Sequence, residues 1–175
     1  MVSILFVCLG NICRSPAAEA VLKGIVARNA GNEVGSYRID SCGTGGGSSS
    51  WYKAGGWSYH EGDASDSRMI KEAKKRGYIM TSRSRPLTKQ DITDFDYIVC
   101  MDNANKVAVF EAAEAWGGVS CVDVAKSKIS MMTDYCITCK GATRVPDPWY
   151  EGGFDRVLDL LEDACQGLYN HLSKK

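Results

Sequence analysis

Val7-Cys8-Leu9-Gly10-Asn11-Ile12-Cys13-Arg14-Ser15-Pro16 decides the fold of this chain. Ahead of it, Ile4-Leu5-Phe6-Val7 is a short apolar run of strand type. Behind it, Ala17 to Lys23 reads as a helix that Ser15 caps and Pro16 enters at its first turn. A strand, a tight loop and a helix N-terminus bring unpaired amides and the positive end of a helix dipole to one point, which makes an anion site. No Gly-Lys-Ser/Thr ending turns the loop into a nucleotide cradle. A cysteine opens it instead and an arginine closes it, Cys-x5-Arg. A thiol at a helix N-terminus beside a guanidinium is favoured as the thiolate. The planar fork of Arg14 can grip two oxygens of a phosphate-like group. Leu9, Gly10, Asn11, Ile12, Cys13 and Arg14 would then hold the anion while Cys8 attacks it. Cys8 alone would be an ordinary buried thiol after a strand. Gly10, Asn11, which tolerates left-handed backbone, and Ser15-Pro16 at the helix start make it a nucleophile.

The stretch resembles the signature of the low-molecular-weight protein tyrosine phosphatase family, Val-Cys-x-Gly-Asn-Ile-Cys-Arg-Ser-Pro, at every position. The resemblance implies hydrolysis of phosphotyrosine and aryl phosphate monoesters through a phosphocysteine, with no metal or other cofactor. Its partners would be phosphotyrosine-containing proteins or peptides, with phosphate and related oxyanions as inhibitors. Asp40-Ser41-Cys42-Gly43-Thr44 is similar to a family segment beside the catalytic loop, which makes Ser41 the partner of Asn11. A left-handed Asn11 would need such side-chain bonds; from the residues alone, Ser41 is equally a serine ending a strand. Ser15 could donate to the Cys8 sulfur and improve it as a leaving group. Cys13 either fills space under the loop or traps an oxidised Cys8 as a disulfide, as the family does.

An aryl phosphate also needs a carboxylic acid on a separate loop to protonate the departing oxygen. Val145-Pro146-Asp147-Pro148-Trp149-Tyr150 offers one, with a proline on either side limiting the reach of Asp147. Asp-Pro is an ordinary turn pair as well. The resemblance makes Asp147 the general acid and Trp149 and Tyr150 walls of the substrate slot, Trp149 standing where many members carry tyrosine. It also points to Tyr59 as the wall from the variable loop. Asp102 reads only as a helix cap, and Arg85 as structural.

The 175 residues suit a single domain, 1–175, large enough for a real core. Its 21 basic and 21 acidic residues cancel, which argues against nucleic acid or a membrane surface as partner. No run reaches the ~20 apolar residues of a membrane span. Met1 leads almost at once into the first strand, so no signal peptide is expected, and eight cysteines in such a chain suggest a reducing, cytoplasmic setting. Cys136-x-x-Cys139 lacks a second matching pair for zinc, and two histidines make no cluster.

Further strands are expected at 37–41, 95–101 and 128–132, and helices at 66–76, 104–116 and 154–172, the last with a clear 3.6-residue apolar stripe. Residues 45–50 look like a flexible linker, although Trp51, Tyr52, Trp57 and Tyr59 crowd in after them. Strands alternating with helices predict an α/β fold with a parallel sheet, helices on both faces and the phosphate loop after the first strand. The resemblance adds four strands in the order 2-1-3-4. Arsenate reductase shares that fold and loop but needs a relay of further cysteines. A binding module without catalysis would be expected to lose Cys8 or Asp147.

Overall fold

A computed structural model describes all 175 residues. Its sheet has four parallel strands in the order β2-β1-β3-β4, with β1 at Val2–Cys8, β2 at Tyr37–Gly43, β3 at Tyr97–Cys100 and β4 at Ile129–Met131. β1 is central, pairing Val2 to Cys8 with Tyr37 to Gly43 on one side and Ile4 to Val7 with Tyr97 to Cys100 on the other. A central parallel strand is covered on both faces, and its side chains alternate between them. Ile4, Phe6 and Cys8 join one core, and Leu5 and Val7 join the other.

The first core is made with α1 (Arg14–Asn29), α2 (Ser67–Lys75) and α6 (Phe154–Ser173). The expected stripe on α6 is buried there at Val157, Leu158, Leu161, Ala164, Cys165, Leu168 and Leu172. The second core is made with α3 (Lys89–Asp94) and α4 (Asn103–Lys128). α4 outruns its expected end at 116 and breaks at Gly118, whose φ of 64° leaves the helical region. A four-residue helix, α5 (Pro148–Glu151), precedes α6.

Residues 45–50 are no linker. The Gly46 amide donates to the Leu9 carbonyl and the Ser48 amide to Gly45, while Trp51 is buried edge-on to Tyr52 and Trp116. The indole N–H of Trp116 donates to the Tyr52 carbonyl at 2.9 Å. The glycines supply turns, and the buried indole fixes the segment; composition alone registers only the former.

Candidate active site

β1 stops at Cys8 and α1 starts at Arg14, so residues 9–13 must turn the chain at the carboxyl edge of the sheet, where ligands of such sheets bind. Asn11 takes a φ of 54°, a left-handed conformation that costs a non-glycine residue of order 1 kcal/mol. Its side chain is satisfied at both ends. Nδ2 donates to Ser15 Oγ at 2.8 Å and Ser41 Oγ at 2.9 Å, and Oδ1 accepts from the Arg85 amide at 3.0 Å. Ser41 in turn donates to buried Glu19 at 2.7 Å, whose other oxygen accepts from Lys23. β2 passes close beneath: a Cβ on Gly43 would lie 2.8 Å from the Leu9 carbonyl oxygen. Held this way, the amides of Leu9, Gly10, Asn11, Ile12 and Cys13 donate to no backbone carbonyl.

The sulfur of Cys8 lies 3.0 Å from Ser15 Oγ. Ser15 also reaches the Cys42 carbonyl at 3.2 Å, so its single proton has two acceptors. An anionic sulfur attracts that proton more strongly than a carbonyl does. Asn11 already fills one lone pair of Ser15, which leaves the hydroxyl free to donate toward Cys8.

Arg14 is buried, and three bonds orient it. Nη1 donates to Asp102 Oδ2 at 2.6 Å and to the Val145 carbonyl at 3.1 Å; Nη2 donates to Asp147 Oδ2 at 3.2 Å. Of the five N–H groups on a guanidinium, Nε–H and the second Nη2–H remain for a phosphate. Burial works against the cation, but Cys8, Asp102 and Asp147 together outweigh it and hold the arginine above its usual range. Asp102 is therefore more than the helix cap expected of it. Oδ1 caps α4 by accepting from Asn105 at 2.9 Å, and Oδ2 is spent on Arg14. Asp147 caps α5 through the Trp149 amide at 3.1 Å, and this turns its other oxygen inward.

Cys8, Leu9, Gly10, Ile12, Cys13, Arg14, Asp147, Trp149 and Tyr150 line one cleft, together with Gly46 and His60. Asn11, Ser15 and Ser41 stand behind it as the support just described. Tyr59 is the residue that the structure moves out of the expected set. Its ring packs on Trp57 with centroids 4.2 Å apart and is half exposed, outside the lining of the cleft. The next residue, His60, has a φ of 67° and turns its ring in over Gly10, with Trp149 5.8 Å away. A left-handed residue so close behind Tyr59 reverses which side chain faces inward, and no periodicity in the sequence signals it. Asp102, Glu19 and Ser84, which donates to the Gly10 carbonyl at 2.8 Å, were equally illegible. Their partners lie 88, 22 and 74 positions away.

Burial, then Asp66 and Cys8, push the Cys13 thiol far up. Cys136 and Cys139 stand apart, in a loop whose amides at Ile137, Thr138 and Cys139 all donate to Asp163. Burial and Asp163 push the Cys136 thiol up to about 11, which disfavours it as a thiolate ligand or nucleophile.

The family described as low molecular weight phosphotyrosine protein phosphatase matches residues 3–175. The chain is similar to the low molecular weight phosphotyrosine protein phosphatase of Gallus gallus, 42% identical and covering 94% of this chain and 91% of that one. The human protein of the same name is 34% identical over 94% of this chain and 91% of its own length. Among solved structures, a protein tyrosine phosphatase from Entamoeba histolytica with Hepes in the active site superposes with a TM-score of 0.81. It shares 44% identity and covers 99% of this chain and 98% of that one.

Proposed function

Because the chain belongs to the low molecular weight phosphotyrosine protein phosphatase family, we propose that it hydrolyses phosphotyrosine in proteins through a phosphocysteine on Cys8. The observation that carries this reading is the convergence of Cys8 and Arg14, from one loop, and Asp147, from a segment 133 positions beyond Arg14, on one cleft.

The thiolate of Cys8 attacks phosphorus in line; the S–P bond forms as the P–O bond to the phenol breaks. The free loop amides and Arg14 stabilise charge on the three remaining oxygens, where it grows in the transition state. Asp147 gives its proton to the departing phenolate oxygen and then takes one from the water that attacks phosphocysteine. In that second step sulfur leaves as a thiolate, and the Ser15 hydroxyl at 3.0 Å supports it. Half-exposed Trp149 and exposed Tyr150 wall the mouth and accept a flat ring. Depth and aromatic walls would favour a phenyl ester over the short phosphoserine side chain. Inorganic phosphate and vanadate would inhibit by filling the same cradle.

All eight cysteines are free, which suits a reducing compartment, and we place the protein in the cytoplasm. No helix is long and apolar enough to cross a membrane. Oxidised Cys8 would be trapped by Cys13 as a disulfide. The raised Cys13 thiol makes it a slow trap whose rate climbs with pH. Cys13→Ser would keep turnover and lose reductant-dependent recovery after mild peroxide.

The test is turnover of the purified chain on matched phosphotyrosine and phosphoserine peptides, with thioredoxin-coupled arsenate reduction measured beside them. Fast release of phosphate from the first alone is expected. Arsenate turnover without phosphotyrosine hydrolysis would overturn the reading in favour of a reductase.

A further inference from the structure

α5 carries Asp147 at its N-cap and is only four residues long, too short to hold its own position. Gly152 and Gly153 follow it, both with positive φ, at 69° and 73°, so the joint to α6 is made of the two residues with the fewest backbone restraints. Something outside the backbone must fix the angle between α5 and α6.

Arg68, on the first turn of α2, spans that joint. Its guanidinium lies 5.5 Å from the Trp149 ring, on the near side of the glycine pair, and 4.7 Å from the Phe154 ring, on the far side. The guanidinium is itself aimed by Asp66, which accepts from Nη2 at 2.8 Å and from Nε at 3.1 Å. Arg68, against the opposing effect of burial, holds the Asp66 carboxyl below the usual range, so the pair stays ionised near neutral pH. Asp66 is tied to the catalytic loop, because its amide donates to the Ile12 carbonyl at 2.8 Å. Trp149 closes the path by donating its amide to Asp147 Oδ1. A continuous set of contacts therefore runs from the phosphate loop through Asp66, Arg68 and Trp149 to the carboxylate opposite Cys8.

We propose that Arg68 is a positioning residue that braces α5 across the Gly152–Gly153 joint and registers the Asp147 carboxyl against the phosphate loop. It touches neither phosphate nor leaving group, since the cleft lining does not include it. The proposal rests on Asp147 as the acid, and that part is tested separately. A planar cation on two aromatic faces is the group that can hold both sides of the joint without hydrogen-bond directionality.

The test compares wild type, Arg68→Ala, Arg68→Lys and Asp147→Asn on two aryl phosphates, one with a poor leaving group and one with an activated one. Loosening the acid costs rate where protonation is needed, so Arg68→Ala should lose about three- to tenfold more kcat on the poor leaving group than on the activated one, the scale of one or two cation–π contacts. Arg68→Lys keeps a cation but loses the planar fork that Asp66 aims, and should recover only part of that difference. Inhibition by inorganic phosphate should stay unchanged in both, showing an intact loop. Equal losses on the two esters in Arg68→Ala, or no loss on either, would overturn the brace. Equal losses in Asp147→Asn would overturn the acid assignment itself, and the brace with it.

Discussion

Arg14 takes its orientation from Asp102 and the Val145 carbonyl, both on segments that follow or approach the carboxyl edge of the sheet. Asp102 has two separable jobs, a cap for α4 and a charge partner for Arg14. Asparagine caps a helix about as well as aspartate. Asp102→Asn should therefore leave thermal stability near wild type while kcat/KM for a phosphotyrosine peptide drops about ten- to hundredfold, the cost of a misplaced catalytic group. Unchanged kcat/KM in that variant would return Asp102 to the role of a cap. Asp147 belongs to the same scale. Asp147→Ala should cost ~10²–10⁴-fold on poor leaving groups and far less on activated aryl phosphates. A uniform loss across leaving groups, read from a series of aryl esters, would remove it as the acid.

At the scale of elements, short segments are held by single polar side chains rather than by their own length. Asp163 on α6 accepts from the amides of Ile137, Thr138 and Cys139 and from the Thr138 hydroxyl. Burial acts to raise this carboxyl, but the amides outweigh it and hold it below the usual range. A depressed folded pKa gives stability that is present above the ordinary carboxylate range, about 4, and is lost as pH falls through the folded value. Asp163→Asn should thus lower Tm at pH 7, and the gap to wild type should close as the pH falls below the ordinary carboxylate range. A gap that stays constant with pH would mean that the amide contacts do not depend on the charge. The same contrast explains what could be read in advance. β1, the loop, the start of α1 and the stripe of α6 announce themselves through local periodicity and punctuation and fall within a few residues of expectation, whereas α1 runs on to Asn29, past the expected Lys23, and its N-cap is Cys13 rather than Ser15. The break at Gly118 and the inward turn at His60 depend on backbone conformation, which residue type only permits. The linker-like 45–50 stretch was misleading because the residue that orders it, Trp51, packs on Trp116 from a helix 65 positions away.

Across the whole molecule, one edge of one sheet gathers the chemistry. β1 delivers Cys8, the end of β2 lies beneath the loop at Gly43, β3 leads to Asp102, and the segment after β4 returns through Val145 to Asp147. Three crossovers of a four-stranded parallel sheet place these groups together around Cys8. Cys8 and Arg14 were legible from motif and spacing, and Asp147 only through the resemblance of its Asp-Pro segment to the family's. The residues that aim them were not, because each works through a partner far along the chain. The account stands on whether Cys8 takes the phosphoryl group. Asp147→Ala, in which hydrolysis of the phosphocysteine slows while its formation from an activated ester does not, should be mixed with an activated aryl phosphate, quenched in acid and digested for mass spectrometry. The account predicts one added phosphoryl group on the peptide holding Cys8, and none in the Cys8→Ser variant, which should still bind vanadate but not turn over. Phosphate release by Cys8→Ser within about tenfold of wild type, or a phosphoryl group found on any other residue, would contradict it.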